Sequence, residues 1–230
     1  MNYHLTRLSA QHTIEMDPSS LESSLSQEIR HAIDQEWERE SHIRPIFNGK
    51  IFNVLACNQR TLRGQFVEYK TYLAKLRNSA LSPFLPLRIL GVTGITEWRN
   101  KILIGKRSKN VTLYPGHYEF APAGGIGLEA LRGNQLDLKK QILLELEEEV
   151  GIGAHSVDGI NPWILAHNEE GGDYQIYLKI KLKAESSFAE ISPNPEYASC
   201  QWVEKDQLRA FFLKEACPVV PLTYTLLQQI

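Results

Sequence analysis

The sequence predicts an α/β or α+β sandwich, with strands and helices mixed along one chain. Three observations predict it. Leu21, Leu25, Ile29, Ile33 and Trp37 recur every four residues, as on a buried helix stripe. Residues 174–183 alternate with period two: Tyr174, Ile176, Leu178, Ile180 and Leu182 face one way, and Gln175, Tyr177, Lys179, Lys181 and Lys183 the other. A second helix, from about 138 to 149, lies between Asp137 as cap and Gly151 as stop. This alternation of element types in one chain suits layered packing.

Taken in order, the first helix is expected to be capped by Asp17 with Pro18 in its first turn. Residues 51–57 read as a strand and 68–78 as a short helix carrying Tyr69, Tyr72, Leu73 and Leu76. Pro83 and Pro86 disfavour both helix and central strand, so Ser82 to Pro86 reads as a boundary. Beyond it, the apolar runs 87–95 and 101–106 flank Glu97-Trp98-Arg99-Asn100, which suits a hairpin. A loop through Tyr114-Pro115-Gly116 leads to Pro122-Ala123-Gly124-Gly125, a turn where backbone can approach a ligand. Another strand ends near Trp202-Val203, and a helix is expected from Asp206.

The 230 residues suffice for one sizeable core, or one core with an appended subdomain. A hydrophobic share of 43% with 23% charged residues is ordinary for a soluble globular protein. A net charge of −2 gives no basic footprint, so nucleic acid is not an expected partner. The N-terminus lacks the apolar run of a signal peptide, and no stretch has the roughly 18 apolar residues that span a bilayer. Cys57, Cys200 and Cys217 are widely spaced and odd in number, which argues against a disulfide framework and for a reducing, cytoplasmic home. The seven histidines have no spacing that suggests a zinc site.

Chemistry concentrates on the acidic helix. At about 100° per residue, Glu145, Glu148 and Glu149 share a sector roughly 100° wide, beside the apolar sector of Ile142, Leu143, Leu146 and Val150. Glu147 points away from them and reads as solvated. Clustered carboxylates repel one another. They form either a solvated surface or the oxygen-rich seat of a hard cation such as Mg²⁺ or Mn²⁺. Lys106 and Arg107, ending a strand, are candidates to meet phosphate, a surface basic pair being the alternative. The acidic loop Glu169-Glu170-Gly171-Gly172-Asp173 reads as a hairpin loop, with a metal ligand or base as the alternative, and Glu196 has a similar claim. Lys179, Lys181 and Lys183 read as a solvated face.

The run Glu145-Leu146-Glu147-Glu148-Glu149-Val150-Gly151-Ile152 resembles the second half of the Nudix box. That box reads Gly, five residues, Glu, seven residues, then Arg-Glu-apolar-x-Glu-Glu-x-Gly-apolar. Pro115 to Phe120 and Pro122 to Gly125 resemble the strand and turn leading into it. Lys101 to Arg107 resembles the preceding strand, and Glu196 to Gln207 the closing strand and helix, so the resemblance covers roughly residues 87–215. Two departures stand out. Leu144 occupies the arginine position, and Leu136 the position of the first box glutamate, with about five residues inserted after Gly125. Glu129 and Asp137 are both candidates for the missing glutamate, and spacing does not choose between them.

The resemblance implies an α/β/α sandwich with a mixed sheet over residues 86–230, behind an N-terminal extension of residues 1–85 (helix, strand, helix) packing on it. It further implies a pyrophosphohydrolase acting on a nucleoside diphosphate derivative, with Mg²⁺ or Mn²⁺ held by Glu145, Glu148 and Glu149 as catalytic and metal residues. Arg107, Gly124 and Gly125 would meet the substrate, and a carbonyl near Gly125 would complete the metal shell. The general base is left open. The stretches Ile33 to Glu38, Phe47-Asn48-Gly49 and Val67 to Leu73 resemble the extension of Nudix proteins that split UDP-glucose and UDP-galactose to UMP and a sugar 1-phosphate, proteins whose boxes are also irregular. The expectation is therefore a cytoplasmic UDP-sugar hydrolase, monomer or homodimer, with no nucleic-acid or membrane partner. ADP-ribose is the alternative substrate, and a Nudix-fold binding module that has lost catalysis the alternative function.

Overall fold

The computed structural model describes residues 2–9, 12–58, 60–186, 188, 191, 194–214 and 218–229. The elements are β1 (Tyr3–Arg7), β2 (Thr13–Met16), α1 (Leu21–Ser24), α2 (Gln27–Ile43), β3 (Lys50–Cys57), β4 (Thr61–Glu68), α3 (Tyr69–Arg77), β5 (Leu90–Trp98) and β6 (Lys101–Arg107). They continue with β7 (Tyr118–Phe120), β8 (Ala123–Gly125), β9 (Leu131–Arg132), β10 (Gln135–Leu136), α4 (Leu138–Val150), β11 (Val157–Asn168), β12 (Tyr174–Leu182), β13 (Tyr197–Glu204), α5 (Leu208–Lys214) and α6 (Pro221–Leu226).

Two mixed sheets organise this α+β fold. The larger runs β1-β11-β12-β5-β6-β13, parallel only between β12 and β5. The β5–β6 hairpin pairs only at its tip, Glu97 with Ile102 and Trp98 with Lys101. The two strands then part, β8 pairing with β5 and β7 with β6. That opening carries the glycine turn into the sheet. The smaller sheet runs β3-β4-β2-β10-β9, parallel only between β2 and β4.

Three apolar cores fill the space between layers. On one face of the large sheet, Val92, Ile176, Leu178 and Ile180 pack with Ile142, Leu146 and Val150 of α4 and with Phe52 and Phe66 of the small sheet. On the other face, Ile95, Ile104, Phe120 and Tyr177 pack with Phe212 of α5 and Leu222 and Leu226 of α6. The third core joins Leu25 and Ile33 to Val67, Tyr72, Leu85 and Leu87. Helices therefore cover both faces of the large sheet.

The stretch from Asp17 to Trp37, expected as one helix, is two. Leu25 and Ser26 are extended (φ −75°, ψ 140° and φ −66°, ψ 163°), and Ser26, not Asp17, caps α2, its Oγ accepting from Ile29 N–H at 3.4 Å. Asp17 instead accepts from Ser19 N–H at 2.9 Å. The serine-rich run explains the break: Ser23 and Ser24 hydroxyls donate to the carbonyls of Ser20 and Leu21, competing with the helical ladder.

Tyr177 differs from expectation too. It lies on the second face of β12, yet it is buried, because α5 and α6 cover that face. The alternation along β12 thus separates two cores at that end, and core from solvent only at Lys179 and Lys181, both exposed. Lys179 Nζ sits 4.3 Å from the centroid of the Trp163 ring, and Lys181 pairs with Asp158 at 3.3 Å. The first 85 residues also contain β1, β2 and β4 alongside the expected strand and helices. Among the described residues no helix is long and apolar enough to cross a membrane.

Candidate metal and phosphate site

Helix α4 forms where the sequence placed it. The Asp137 carboxylate accepts from Lys140 N–H at 2.9 Å, satisfying a first-turn donor. Gly151 closes it at φ 72°, with Gly151 N–H donating to Glu147 C=O at 3.0 Å and Ile152 N–H to Leu146 C=O at 3.1 Å. Burial of Ile142, Leu146 and Val150 fixes the rotation of the helix, and so decides which glutamates meet the sheet.

Two of them do. Ala123 N–H donates to Glu149 Oε2 at 2.8 Å, and Glu149 is only 3% exposed. The Glu145 carboxylate lies against Gly124, in the space a Cβ there would need. Glu145 and Glu149, one turn apart, therefore both rest on β8. Glu148 and Glu147 are exposed.

Gln141, a turn before Glu145 and 5% exposed, donates from Nε2 to Glu145 Oε1 at 2.7 Å and accepts from Gly127 N–H at 3.2 Å. Sequence reading passed over it. An amide in the stripe Gln141-Ile142-Leu146 shows neither its burial nor its partners, though a polar residue beside an apolar stripe is itself a signal.

Further carboxylates close in. The turn before β13 is tied to α4 through Asn194 N–H donating to Glu149 C=O at 3.0 Å, while Glu196 N–H donates to Asn194 Oδ1 at 2.8 Å. That brings the Glu196 charge onto Glu145, Glu149 and Glu119. Of the two candidates for the missing first glutamate, Glu129 is the one whose charge reaches Glu145. Asp137 is taken up by capping and by Arg132, 3.0 Å away.

The result is a site short of positive charge. Burial above all, then the charges of Glu196, Glu148 and Glu129, push Glu145 up to about 7 against the opposing Gln141 bond. Burial and the Glu145 charge push Glu149 well above the usual carboxylate range, although the Ala123 N–H opposes them.

Arg107 is committed elsewhere. Its guanidinium bonds Glu119 through Nη1 and donates from Nε to Leu113 C=O at 2.9 Å, with the Arg107 and Glu119 side chains 14% and 9% exposed. The Tyr197 hydroxyl adds a bond to Glu119 at 3.2 Å, its ring lying where Gly105 has no side chain. Lys106 Nζ stands 5.2 Å from the centroid of the Tyr118 ring. Gly125 pairs with Gly91 and is exposed.

The acidic hairpin loop serves as a clasp. Asp173 Oδ1 accepts from Ile89 N–H at 2.8 Å, and its Oδ2 from the Tyr72 hydroxyl at 3.3 Å. Cys57 and Cys200 are free thiols, and Cys217 lies outside the described residues.

Among the described residues, no three Asp, Glu, His or Cys side chains are grouped closely enough to hold a metal ion as they stand. The chemistry of the donors nevertheless fits a hard divalent cation. They are carboxylate oxygens, two are fixed on one strand, and their mutual repulsion is what a cation would relieve.

No protein-family model matches the sequence, and no curated protein matches it. Among solved structures, the chain is similar to a Nudix hydrolase from Alicyclobacillus acidocaldarius, at 13% identity over 60% of this chain and 89% of that one, TM-score 0.47. It is similar to a MutT Nudix hydrolase from Burkholderia pseudomallei, at 20% identity over 61% and 96%, TM-score 0.41. A C. elegans Ap4A hydrolase in a binary complex matches at 16% identity over 50% and 80%, TM-score 0.34.

Proposed function

We propose that this chain is a divalent-metal-dependent hydrolase of the Nudix type, cleaving the pyrophosphate of a nucleoside diphosphate derivative. The carrying observation is the pair Glu145 and Glu149, one helical turn apart on α4 and both seated on the glycine strand β8, where burial and neighbouring carboxylates push both above the usual carboxylate range. Glu145, Glu149 and the adjacent Glu148 would hold Mg²⁺ or Mn²⁺. When bound, the ion would neutralise phosphate charge and acidify a water. The chain's own part is to orient. Ala123 N–H fixes Glu149, the bare Cα of Gly124 admits Glu145, and exposed Gly125 leaves backbone open to a phosphate. Arg107 fits the reading better as the partner that keeps Glu119 and Tyr197 in place beside Glu149 than as a free phosphate ligand.

Within that class the preferred substrate is a UDP-sugar, released as UMP and sugar 1-phosphate, on the resemblance of Ile33 to Glu38 and Val67 to Leu73 to the extension of such proteins. ADP-ribose is the next substrate to test. The proposal places the protein in the cytoplasm as a monomer or homodimer. A second reading, a ligand-binding module without turnover, is favoured by apolar Leu144 and by Glu148 being exposed where the other two glutamates rest on β8.

Incubation with Mg²⁺ or Mn²⁺ and a panel of UDP-sugars, ADP-ribose, dinucleotides and nucleoside triphosphates, read by mass spectrometry, separates these. UMP with hexose 1-phosphate supports the preferred substrate, and cleavage of ADP-ribose alone removes it. Binding without products supports the module. Normal turnover in folded Glu148→Gln and Glu149→Gln variants would sink the ligand assignment, with Glu147→Gln as the control expected to leave turnover unchanged.

A further inference from the structure

We infer that Gln141 is a positioning residue for this site, an amide strut that fixes the Glu145 carboxylate against the glycine turn. The inference rests on the hydrolase reading only for what Glu145 does, not for the strut itself.

Glu145 receives no cationic partner from its own helix. The side chain of Lys140 turns away to donate to the Glu129 carbonyl, and Leu144 is apolar. Gln141 fills that gap from the preceding turn, the i to i+4 spacing at which helix side chains meet. Its two ends are used in different directions. Nε2 donates to Glu145 Oε1 at 2.7 Å, while Oε1 accepts from Gly127 N–H at 3.2 Å, on the loop just past β8.

One planar amide thus links the loop, the helix and the carboxylate. Gly124 bounds the same carboxylate from the strand side, so Glu145 is held between a hydrogen bond and a surface. The location argues for a purpose beyond packing. Gln141 is 5% exposed and neighbours Ile142, which is fully buried. An apolar side chain would fill that space without any need for polar partners, whereas a buried amide is tolerated only with its bonds made. Orienting side chains behind metal ligands typically matter by factors of about 10–100 in affinity or activity.

The test uses the full chain and Mn²⁺ alone as the probe. Gln141→Met keeps the length and loses both bonds; Gln141→Asn keeps the amide, one methylene too short to span Gly127 and Glu145, and carries the test if the methionine variant does not fold. Expected in the folded variants is Mn²⁺ binding, read by electron paramagnetic resonance, about tenfold weaker than wild type, and a kcat about tenfold lower with KM for the nucleotide within about twofold. A lowered thermal midpoint with Mn²⁺ affinity and kcat unchanged makes Gln141 a packing residue and overturns the inference, leaving the hydrolase reading intact. If wild type binds Mn²⁺ but turns over nothing, the hydrolase reading fails, and the Mn²⁺ comparison still decides the strut.

Discussion

The Glu145 carboxylate occupies the volume where Gly124 would carry a side chain. The contact joins a helix residue and a strand residue 21 positions apart in sequence, and it lets a buried carboxylate lie directly on backbone. Gly124→Ala should therefore displace Glu145 instead of simply crowding the core. Because the displaced group is the end of a flexible side chain, unfolding free energy should fall by only about 1–3 kcal/mol. Mn²⁺ affinity should drop about tenfold as the orientation is lost. Urea denaturation and Mn²⁺ titration of the same preparation check both. Unchanged metal affinity would mean that Glu145 does not act from this seat.

Stability without metal should depend on pH in an unusual direction. Glu145 titrates near 7 in the folded chain against about 4.5 as a free carboxylate, so between those values the folded state holds a proton that the unfolded chain has lost. Its contribution is present below about pH 4.5 and disappears as pH rises to about 7. Glu149, also pushed well above the usual carboxylate range by burial, adds a loss of the same sign. Asp17 and Glu68, both lowered, act in the opposite sense only as pH falls through their own more acidic range, whereas His167, lowered by burial, opposes the trend closer to neutrality, one imidazole against two carboxylates. The metal-free thermal midpoint should thus be higher at pH 5.5 than at pH 7.5. Glu149→Gln should flatten the slope, and saturating Mg²⁺ should raise the midpoint more at the higher pH. A metal-free midpoint that climbs with pH through this range would refute the assignment.

Arg107 and Glu119 are a buried pair, and removing one partner strands the other. Arg107→Met would leave Glu119 in the interior with only the Tyr197 hydroxyl, at a cost of about 3–5 kcal/mol. A second change, Glu119→Gln, should recover part of that loss, which a double-mutant cycle by urea denaturation measures. If Arg107→Met unfolds normally but raises KM for the nucleotide, the arginine is a phosphate ligand after all.

These positions also mark where sequence pattern ends. Helix α4 was legible because its cap, apolar stripe and glycine stop are all local, and the same angular spacing brings Glu145 and Glu149 to one side. The break at Leu25 was not, since a serine run gives the same fourfold apolar spacing whether or not its hydroxyls interrupt the ladder. β1 was missed because its pairing partner β11 lies some 160 residues away and nothing in Tyr3 to Arg7 announces it. The fate of Arg107 depends on Glu119 arriving through β7, on a strand pairing that spacing alone does not reveal. Gln141 was hidden for the same reason: its role is set by Gly127, on a loop that precedes it.

Asp173 gives the last prediction. It lies in the acidic loop, where a metal ligand or base was the alternative to a plain turn, yet both its oxygens face inward. One holds Ile89 N–H at the entrance to β5, the other the Tyr72 hydroxyl on α3, so the β11–β12 hairpin is clasped to two elements at once. Asp173→Ala would leave the Ile89 donor and the buried Tyr72 hydroxyl without their acceptor, destabilising the fold by about 1–3 kcal/mol. Since the clasp is separate from the bonds that orient Glu145 and Glu149, Mn²⁺ affinity and kcat of the folded variant should stay within about twofold of wild type, a difference of less than about 0.5 kcal/mol. Urea denaturation paired with Mn²⁺ titration decides it. A fall in metal affinity at unchanged stability would return the acidic loop to the site.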